Sequence, residues 1–373
     1  MKILQCDVGD CLFYFALTVF VSLTFAANIP LLVGILSPLS YMALLLLAMS
    51  LLFKVKYFRS TTLLAIAGLS AIGLYQLVAL GNSSLLKLIM LVSATRDNSL
   101  KDIIRYDRNL RVFWTILLFA FLNVGITEDV VLLDASRGAR HSLGFASPNQ
   151  FGMTFLIIVL EDLYLKDFRI KFRSVITLFA AIVLVDQITG SRSAALFSMI
   201  GLLLAVVNTA VKGHFLRSAF VKNAACLVAP GLFLLTIITS SLYEMKVPWT
   251  IALNDVLTNR LWHIQKFYEL YRPSLLGLDL STAGLTLDTL YSYLIFGYGI
   301  IIAIIYISSS PFLVTALWNK REYALIAIWI VLSIYGLSER LWVCAEYNGL
   351  MLMFAVLLHR DSGYPKITNK QDK

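Results

Sequence analysis

Apolar runs of bilayer length recur along this chain, and that feature leaves few folds open. A hydrocarbon core of about 30 Å takes roughly 20 apolar residues as a helix. Within it every backbone N–H and C=O must be satisfied internally. Runs of this kind lie near 11–29, 31–53, 61–80, 85–95, 112–127 and 149–165, then near 174–189, 192–211, 224–242, 284–307, 323–337 and 344–359. Composition agrees: 59% of the 373 residues are hydrophobic and 14% charged, against about 25% charged in soluble domains. So few polar groups cannot cover the surface of a soluble enzyme, and neither a disordered chain nor a disulfide scaffold fits. The expected fold is all-α: one polytopic membrane domain over residues 1–373, with about twelve transmembrane helices. The short run at 85–95 has the length of a re-entrant segment, with Lys87 snorkelling from it. Lys2 before the first run and Phe25-Ala26-Ala27 near its end have the shape of a cleavable leader. Asp7 and Asp10, and the eleven runs that follow, favour a retained helix.

Charge orients the chain. With the N-terminus inside and the spans alternating, 22 of the 31 Lys and Arg residues fall inside, and the 22 acidic residues split evenly. Basic loops face the cytoplasm, so both termini are expected there. The net charge of +9 therefore belongs to membrane-surface loops and gives no reason to expect nucleic acid. The inside loops are short and leave no room for a nucleotide-binding lobe. The long polar connections, near 128–148 and 243–283, fall outside. Four cysteines, Cys6, Cys11, Cys226 and Cys344, have neither metal-ligand nor disulfide spacing. No metal site or cofactor motif is present in the sequence.

Basic residues on the side that should avoid them mark candidate positions. Arg137, Arg140 and His141 precede the span that opens at Pro148-Asn149. They fit an anion site, because guanidinium forks match phosphate oxygens, and equally a loop tied down by Glu128, Asp129 and Asp134. Arg192 sits in Thr189-Gly190-Ser191-Arg192, a connection too short to lift its charge into water. Asp186 lies one and a half turns earlier, so the two read either as a functional pair or as an ion pair closing the hairpin. In the longest outer connection Leu257, Leu261, Ile264, Tyr268 and Tyr271 recur at helical spacing, predicting an amphipathic helix on the outer surface. Arg260 and His263 share one side of it, as a phosphate ligand and a base or as a side facing headgroups. Asp288 opens the run at 284–307, where a carboxylate serves either as a helix cap or as a rigidly held base.

Together these pieces resemble the O-antigen polymerase and ligase family of bacterial inner-membrane glycosyltransferases, the Wzy-type polysaccharide polymerases in particular. The resemblance rests on Leu143-Gly-Phe-Ala-Ser-Pro-Asn149, Thr189-Gly-Ser-Arg-Ser-Ala194, Asn259-Arg260, Leu276-Gly277, Asp288-Thr-Leu-Tyr-Ser-Tyr-Leu and Gly297-Tyr-Gly-Ile-Ile. It covers about residues 136–305. It implies a metal-independent transferase, without cofactor, that joins polyprenyl-diphosphate-linked oligosaccharides at the outer face of the cytoplasmic membrane. It further implies Arg192 and Arg260 as diphosphate ligands with Arg140 a third, and Asn149, Asp186 and His141 in support. Membrane lipids would surround the chain, with a flippase and a chain-length regulator as partners. Ligases of the family carry a His where this chain has Asp288, so Asp288 and His263 compete as the group that activates the acceptor hydroxyl. The alternatives are a multi-pass carrier or flippase and a ligase-type transferase.

Alternation of the spans has a direct check. Reporter tags at 54–59 and 166–173 are expected to read cytoplasm, and tags at 136–148 and 245–255 the outside. A cytoplasmic reading at 245–255 would put the candidate arginines on the wrong face.

Overall fold

The computed structural model describes residues 7–96, 98–134, 138–280, 286–340 and 343–358. Arg137 lies outside the described residues, as do the chain ends. The fold is 75% helical. Its helices are α1 (Val8–Ala26), α2 (Leu36–Lys54), α3 (Ser60–Leu80), α4 (Ser84–Ala94), α5 (Leu100–Asn123), α6 (Pro148–Leu165), α7 (Phe172–Thr189) and α8 (Arg192–Ala210). After them come α9 (Ala219–Glu244), α10 (Pro248–Val256), α11 (Arg260–Leu270), α12 (Leu290–Phe296), α13 (Ile300–Asn319), α14 (Tyr323–Tyr335) and α15 (Ala355–Leu358). One antiparallel hairpin, β1 (Val131–Asp134) with β2 (Gly138–His141), pairs Leu132 with Arg140. Among the described residues seven helices are long and apolar enough to cross a membrane: α1, Pro30–Lys54, α3, α7, α8, α9 and α13. Three shorter apolar helices, α4, α14 and Gly349–Leu358, lie among them.

Hydrogen bonds sort the helix ends into two sets. In one set Lys54, at the end of α2, is 2.7 Å from Asp10 of α1 and donates to the carbonyls of Ala94 and Arg96 beyond α4, at 2.8 and 2.9 Å. Lys101 near the start of α5 meets Asp167 after α6 at 2.7 Å. In the other set Asn28 accepts from the Ala146 N–H at 2.7 Å, and the ends of α1, α7 and α14 gather with the starts of α6, α8 and α12. The turns of the first set carry Lys56, Arg59, Arg96, Lys166, Arg169, Lys171, Lys212, Arg217, Lys320 and Arg321, and it is called the basic end below.

Three sequence expectations are changed by the structure. The run at 284–307 is not one helix: α12 has seven residues, the chain breaks at Gly297–Gly299, and α13 runs on to Asn319. The break is closed by an extended segment, with N–H to C=O bonds from Ile300 to Ser274 (3.0 Å), Ile301 to Leu275 (3.2 Å) and Leu278 to Phe296 (2.8 Å). Buried Gln76 of α3 donates to the carbonyls of Leu276 and Tyr298 at 3.0 and 2.7 Å. A Cβ at Gly277 would stand 2.4 Å from the Gly297 oxygen, and φ there is +99°, so only glycine fits this crossing. Second, the polar stretch between the apolar runs at 85–95 and 112–127 is not merely a connecting loop. Helix α5 begins at Leu100, and Arg111 is fully buried in a bidentate pair with Asp107 at 2.8 and 3.1 Å. Glu161 of α6, also fully buried, has its Oε1 4.0 Å from the Arg111 Nε. Two acids flanking one guanidinium defeat hydropathy because they are visible only as pairs in space. Third, Lys87 does not snorkel: it is 14% exposed and reaches Glu346 at 3.2 Å.

Helix α14 explains where the core sits. Ten of its 13 residues are buried, and a helix apolar all round belongs at the centre of a bundle. At 1.5 Å per residue it is about 20 Å long, whereas its partner α9 reaches about 39 Å. The last residue of α14, Tyr335, packs on Phe197, the sixth residue of α8, so the turn after it is recessed below the start of α8.

The crowded Gly349 provides a stability test. A Cβ there would lie 2.3 Å from Asp107 Oδ2, which accepts the Gly349 N–H at 3.2 Å. Gly349→Ala should cost about 3 kcal/mol or more by parting the buried pair. Gly231→Ala, with open space around it inside α9, should be neutral or gain up to about 1 kcal/mol. Thermal unfolding midpoints in detergent measure both.

Candidate functional site

The recessed turn Gly336–Arg340 is where the distant candidate segments meet. Its Ser338 carbonyl accepts a 2.9 Å bond from Arg260 Nη2, and its Gly336 carbonyl accepts the Leu290 N–H at 2.8 Å. The second bond fixes the start of α12, with Thr289 as its N-cap and Asp288 exposed one residue before. Asp288 is thus not itself the cap. Helix α8 reaches the last residue before that turn through Phe197, whose ring is 5.4 Å from that of Tyr335. Arg192, exposed, opens that helix.

Arg260 is aimed by neutral atoms. Its Nη1 donates to the Leu257 carbonyl and the Thr258 hydroxyl, both at 2.9 Å, while its Nε is buried with no partner among the described residues. No carboxylate lies within ion-pair distance of it among the described residues. The guanidinium is oriented but its charge is not neutralised, an arrangement suited to an anion. The expected helix forms behind it: α11 buries Leu261, Ile264 and Phe267 against α9 and Phe296, while Tyr268, expected on the same face, is 40% exposed. His263, one turn on, is half-buried and its Nδ1 has no hydrogen-bond partner among the described residues.

A second cluster joins two of the sequence motifs. Arg140, buried, donates from Nε to the Thr189 carbonyl at 2.9 Å and from Nη2 to Asn149 Oδ1 at 2.5 Å. The Ser191 hydroxyl bonds the Pro148 carbonyl at 2.9 Å. Gly152 permits this approach, since a Cβ there would sit 2.5 Å from that of Ser191. Leu143–Asn149 and Thr189–Ala194 therefore form one corner, beside Arg192. Asp186 and Arg192 do not close the hairpin as an ion pair; one Asp186 oxygen is buried with no partner among the described residues. His141 departs from this corner because neighbouring strand residues face opposite ways. Its Nδ1 donates to Asp129 at 2.6 Å.

Residues that sequence reading left out of the site also collect at this end. A cavity of about 290 Å³ is lined by Thr24, Ser37, Ser40, Tyr41, Lys87 and Glu346. Glu346 is 6% exposed; one oxygen holds Lys87 and the other is buried without a partner among the described residues. The Arg340 guanidinium lies 4.1 Å over the ring of Tyr293, whose hydroxyl accepts from Asn82 at 3.2 Å. The available signal was a charge inside an apolar run, which Lys87 and Glu346 both are. Among the described residues no three His, Cys, Asp or Glu side chains converge as a metal site would require. No protein-family model, curated protein or solved structure matches the chain.

The hairpin contact titrates. Partial burial works to raise the Asp129 carboxyl, but hydrogen bonds from His141 and the Leu143 N–H outweigh it and hold the carboxyl below its ordinary range. A depressed carboxyl stabilises the fold above its unfolded-state value and loses that contribution as pH falls through the folded one. Unfolding midpoints of the wild type and Asp129→Asn should differ near about pH 6 and converge towards about pH 3. A constant difference across that range would show that the carboxylate charge is not what counts.

Proposed function

We propose that the chain is a polymerase that joins polyprenyl-diphosphate-linked oligosaccharide repeat units into a cell-surface polysaccharide at the outer face of a bacterial cytoplasmic membrane. The observation that carries this reading is the Arg260 guanidinium held by neutral oxygens at the turn after α14, with Asp288 beside a segment bonded to that turn and Arg192 at the start of α8, which packs on Tyr335. Twelve crossings with both termini cytoplasmic belong to the same proposal. In its favour, the turns of the basic end hold Lys54, Lys101, Lys166, Arg169, Arg217 and Arg321, as the cytoplasmic side of a membrane protein does.

The chemistry follows from the charges. An acceptor sugar hydroxyl attacks the anomeric carbon of the donor, the carbon–oxygen bond to the diphosphate breaks, and polyprenyl diphosphate leaves with the bonding pair. Oriented donors meet the growing negative charge, each worth about 3–4 kcal/mol in a water-poor site. Arg260 and Arg192 take that role, and Arg140 shapes the corner beside Arg192. The hydroxyl proton passes to Asp288 or His263, a step worth about 10²–10⁴-fold. Asp288 is the weaker base in water but sits next to the fixed start of α12. The cavity bordered by serines, Tyr41 and Glu346 has the hydroxyl-rich lining that a sugar needs.

A carrier of lipid-linked oligosaccharide or a small solute is the second reading. It is favoured by the fully buried Asp107, Arg111 and Glu161 and by the broken helix α12–α13, both common where solutes cross. Against it, the candidate residues lie at one end of the bundle.

In cells deleted for the gene, Arg192→Ala and Arg260→Ala should each lower long-chain glycan at least about 100-fold while membrane levels of the protein hold. Lysine at either position should rescue poorly, because a point charge does not make the fork contact. Asp288→Asn should be as inactive, and His263→Gln should keep substantial activity; the reverse result would assign the base to His263. Full activity of both alanine variants would remove the diphosphate-binding role.

A further inference from the structure

At the basic end, far from the site above, three connections between helices close around a polar cleft of about 450 Å³. The α6–α7 turn supplies Arg169, the α8–α9 connection supplies Arg217, and the α13–α14 turn supplies Arg321. None of the three has a carboxylate within 4.0 Å among the described residues. The nearby acids are otherwise engaged: Asp167 holds Lys101 at 2.7 Å, and Glu322 accepts from the Tyr164 hydroxyl at 3.5 Å. Burial, opposed by the nearby Lys101 ammonium, keeps the Glu322 carboxyl above its ordinary range.

The arginines are placed rather than merely present. Gly213, at φ +87°, makes room for Arg169, since a Cβ there would stand 3.0 Å from an Arg169 Nη. Arg217 lies 5.7 Å over the ring of Tyr323, a contact that fixes a guanidinium while leaving its N–H fork available. Buried Asn208 ties the connection down, donating to the Phe168 carbonyl at 3.2 Å and accepting from the Leu216 N–H at 3.4 Å. Three arginines lining one cleft supply forks that match the oxygens of a phosphate group.

We infer that this cleft is a binding site for a phosphate-bearing anion, supplied by the headgroup of an anionic phospholipid in the adjoining leaflet. The site is independent of the proposed glycan chemistry. The lipid source is favoured because Arg217 and Arg321 sit at the ends of the apolar helices α9, α13 and α14, at headgroup level.

The test uses the full-length protein in neutral detergent, titrated with phosphatidylglycerol, phosphatidylcholine or inorganic pyrophosphate, with binding read by native mass spectrometry and unfolding midpoint. Phosphatidylglycerol should bind in preference to phosphatidylcholine and raise the midpoint. Each arginine-to-glutamine change in the cleft should weaken it about fivefold. Arg169→Gln, Arg217→Gln and Arg321→Gln together should weaken it about 100-fold. A charge-matched control, Arg105→Gln, Lys171→Gln and Arg173→Gln, lies outside the cleft lining and should change binding less than about threefold. Pyrophosphate binding that is lost in the cleft variant, with no preference between the lipids, would keep the anion site but overturn its lipid source. Equal losses in cleft and control variants, or no selective binding of either phosphate, would overturn the site itself.

Discussion

In hydrocarbon an unpaired backbone N–H or C=O costs several kcal/mol, so a chain of this kind interrupts a helix only where it supplies other partners. The break between α12 and α13 obeys that constraint, and much of the architecture at this end of the bundle hangs from it. The first free donors of α13, at Ile300 and Ile301, are taken by Ser274 and Leu275. Gln76 reaches across from α3 to the Leu276 and Tyr298 carbonyls. Segment 274–278 is thereby fixed to the bundle, and the chain leading into it from α11 is fixed with it. This is how Arg260, in a long connection, comes to a defined position over the Ser338 carbonyl.

The short central helix supplies the other half of the geometry. Because the end of α14 packs at Tyr335 against Phe197, inside α8, the turn that follows it lies in a recess below the start of α8. Charges in such a place are costly unless they are partnered. The chain meets that cost for Arg260 with carbonyl and hydroxyl oxygens and elsewhere with acid pairs, Lys87 with Glu346 and Arg111 with Asp107. The distinction matters physically: a guanidinium paired with a carboxylate is electrically finished, whereas one held by neutral oxygens still attracts an anion.

Much of the helical framework was legible in the sequence because hydropathy and length are local properties. The runs at 61–80, 174–189 and 192–211 correspond closely to α3, α7 and α8. What was not legible depended on contacts distant in sequence. Polar residues 100–111 read as a loop, yet they are helical because Asp107 and Arg111 satisfy each other and Glu161 lies alongside. Gly297 and Gly299 looked tolerable inside a span until Gly277 was seen to press against them. At the candidate site the sequence shows Asn149 and the Thr189–Ala194 connection only as separate segments, and Arg140 bonds both sides of the corner they form. His141 bonds Asp129, in keeping with the reading of this connection as a loop tied down by its acids, while strand alternation turns it away from Arg140.

The most direct test of the account is made on the purified protein in liposomes, supplied with a polyprenyl-diphosphate-linked oligosaccharide repeat unit from its host. Chain length and the fate of the lipid are followed together by mass spectrometry. The account predicts a ladder of longer lipid-linked glycans, with one polyprenyl diphosphate released for each linkage formed. Movement of the intact substrate across the bilayer with no ladder and no released lipid would contradict it and establish the carrier instead.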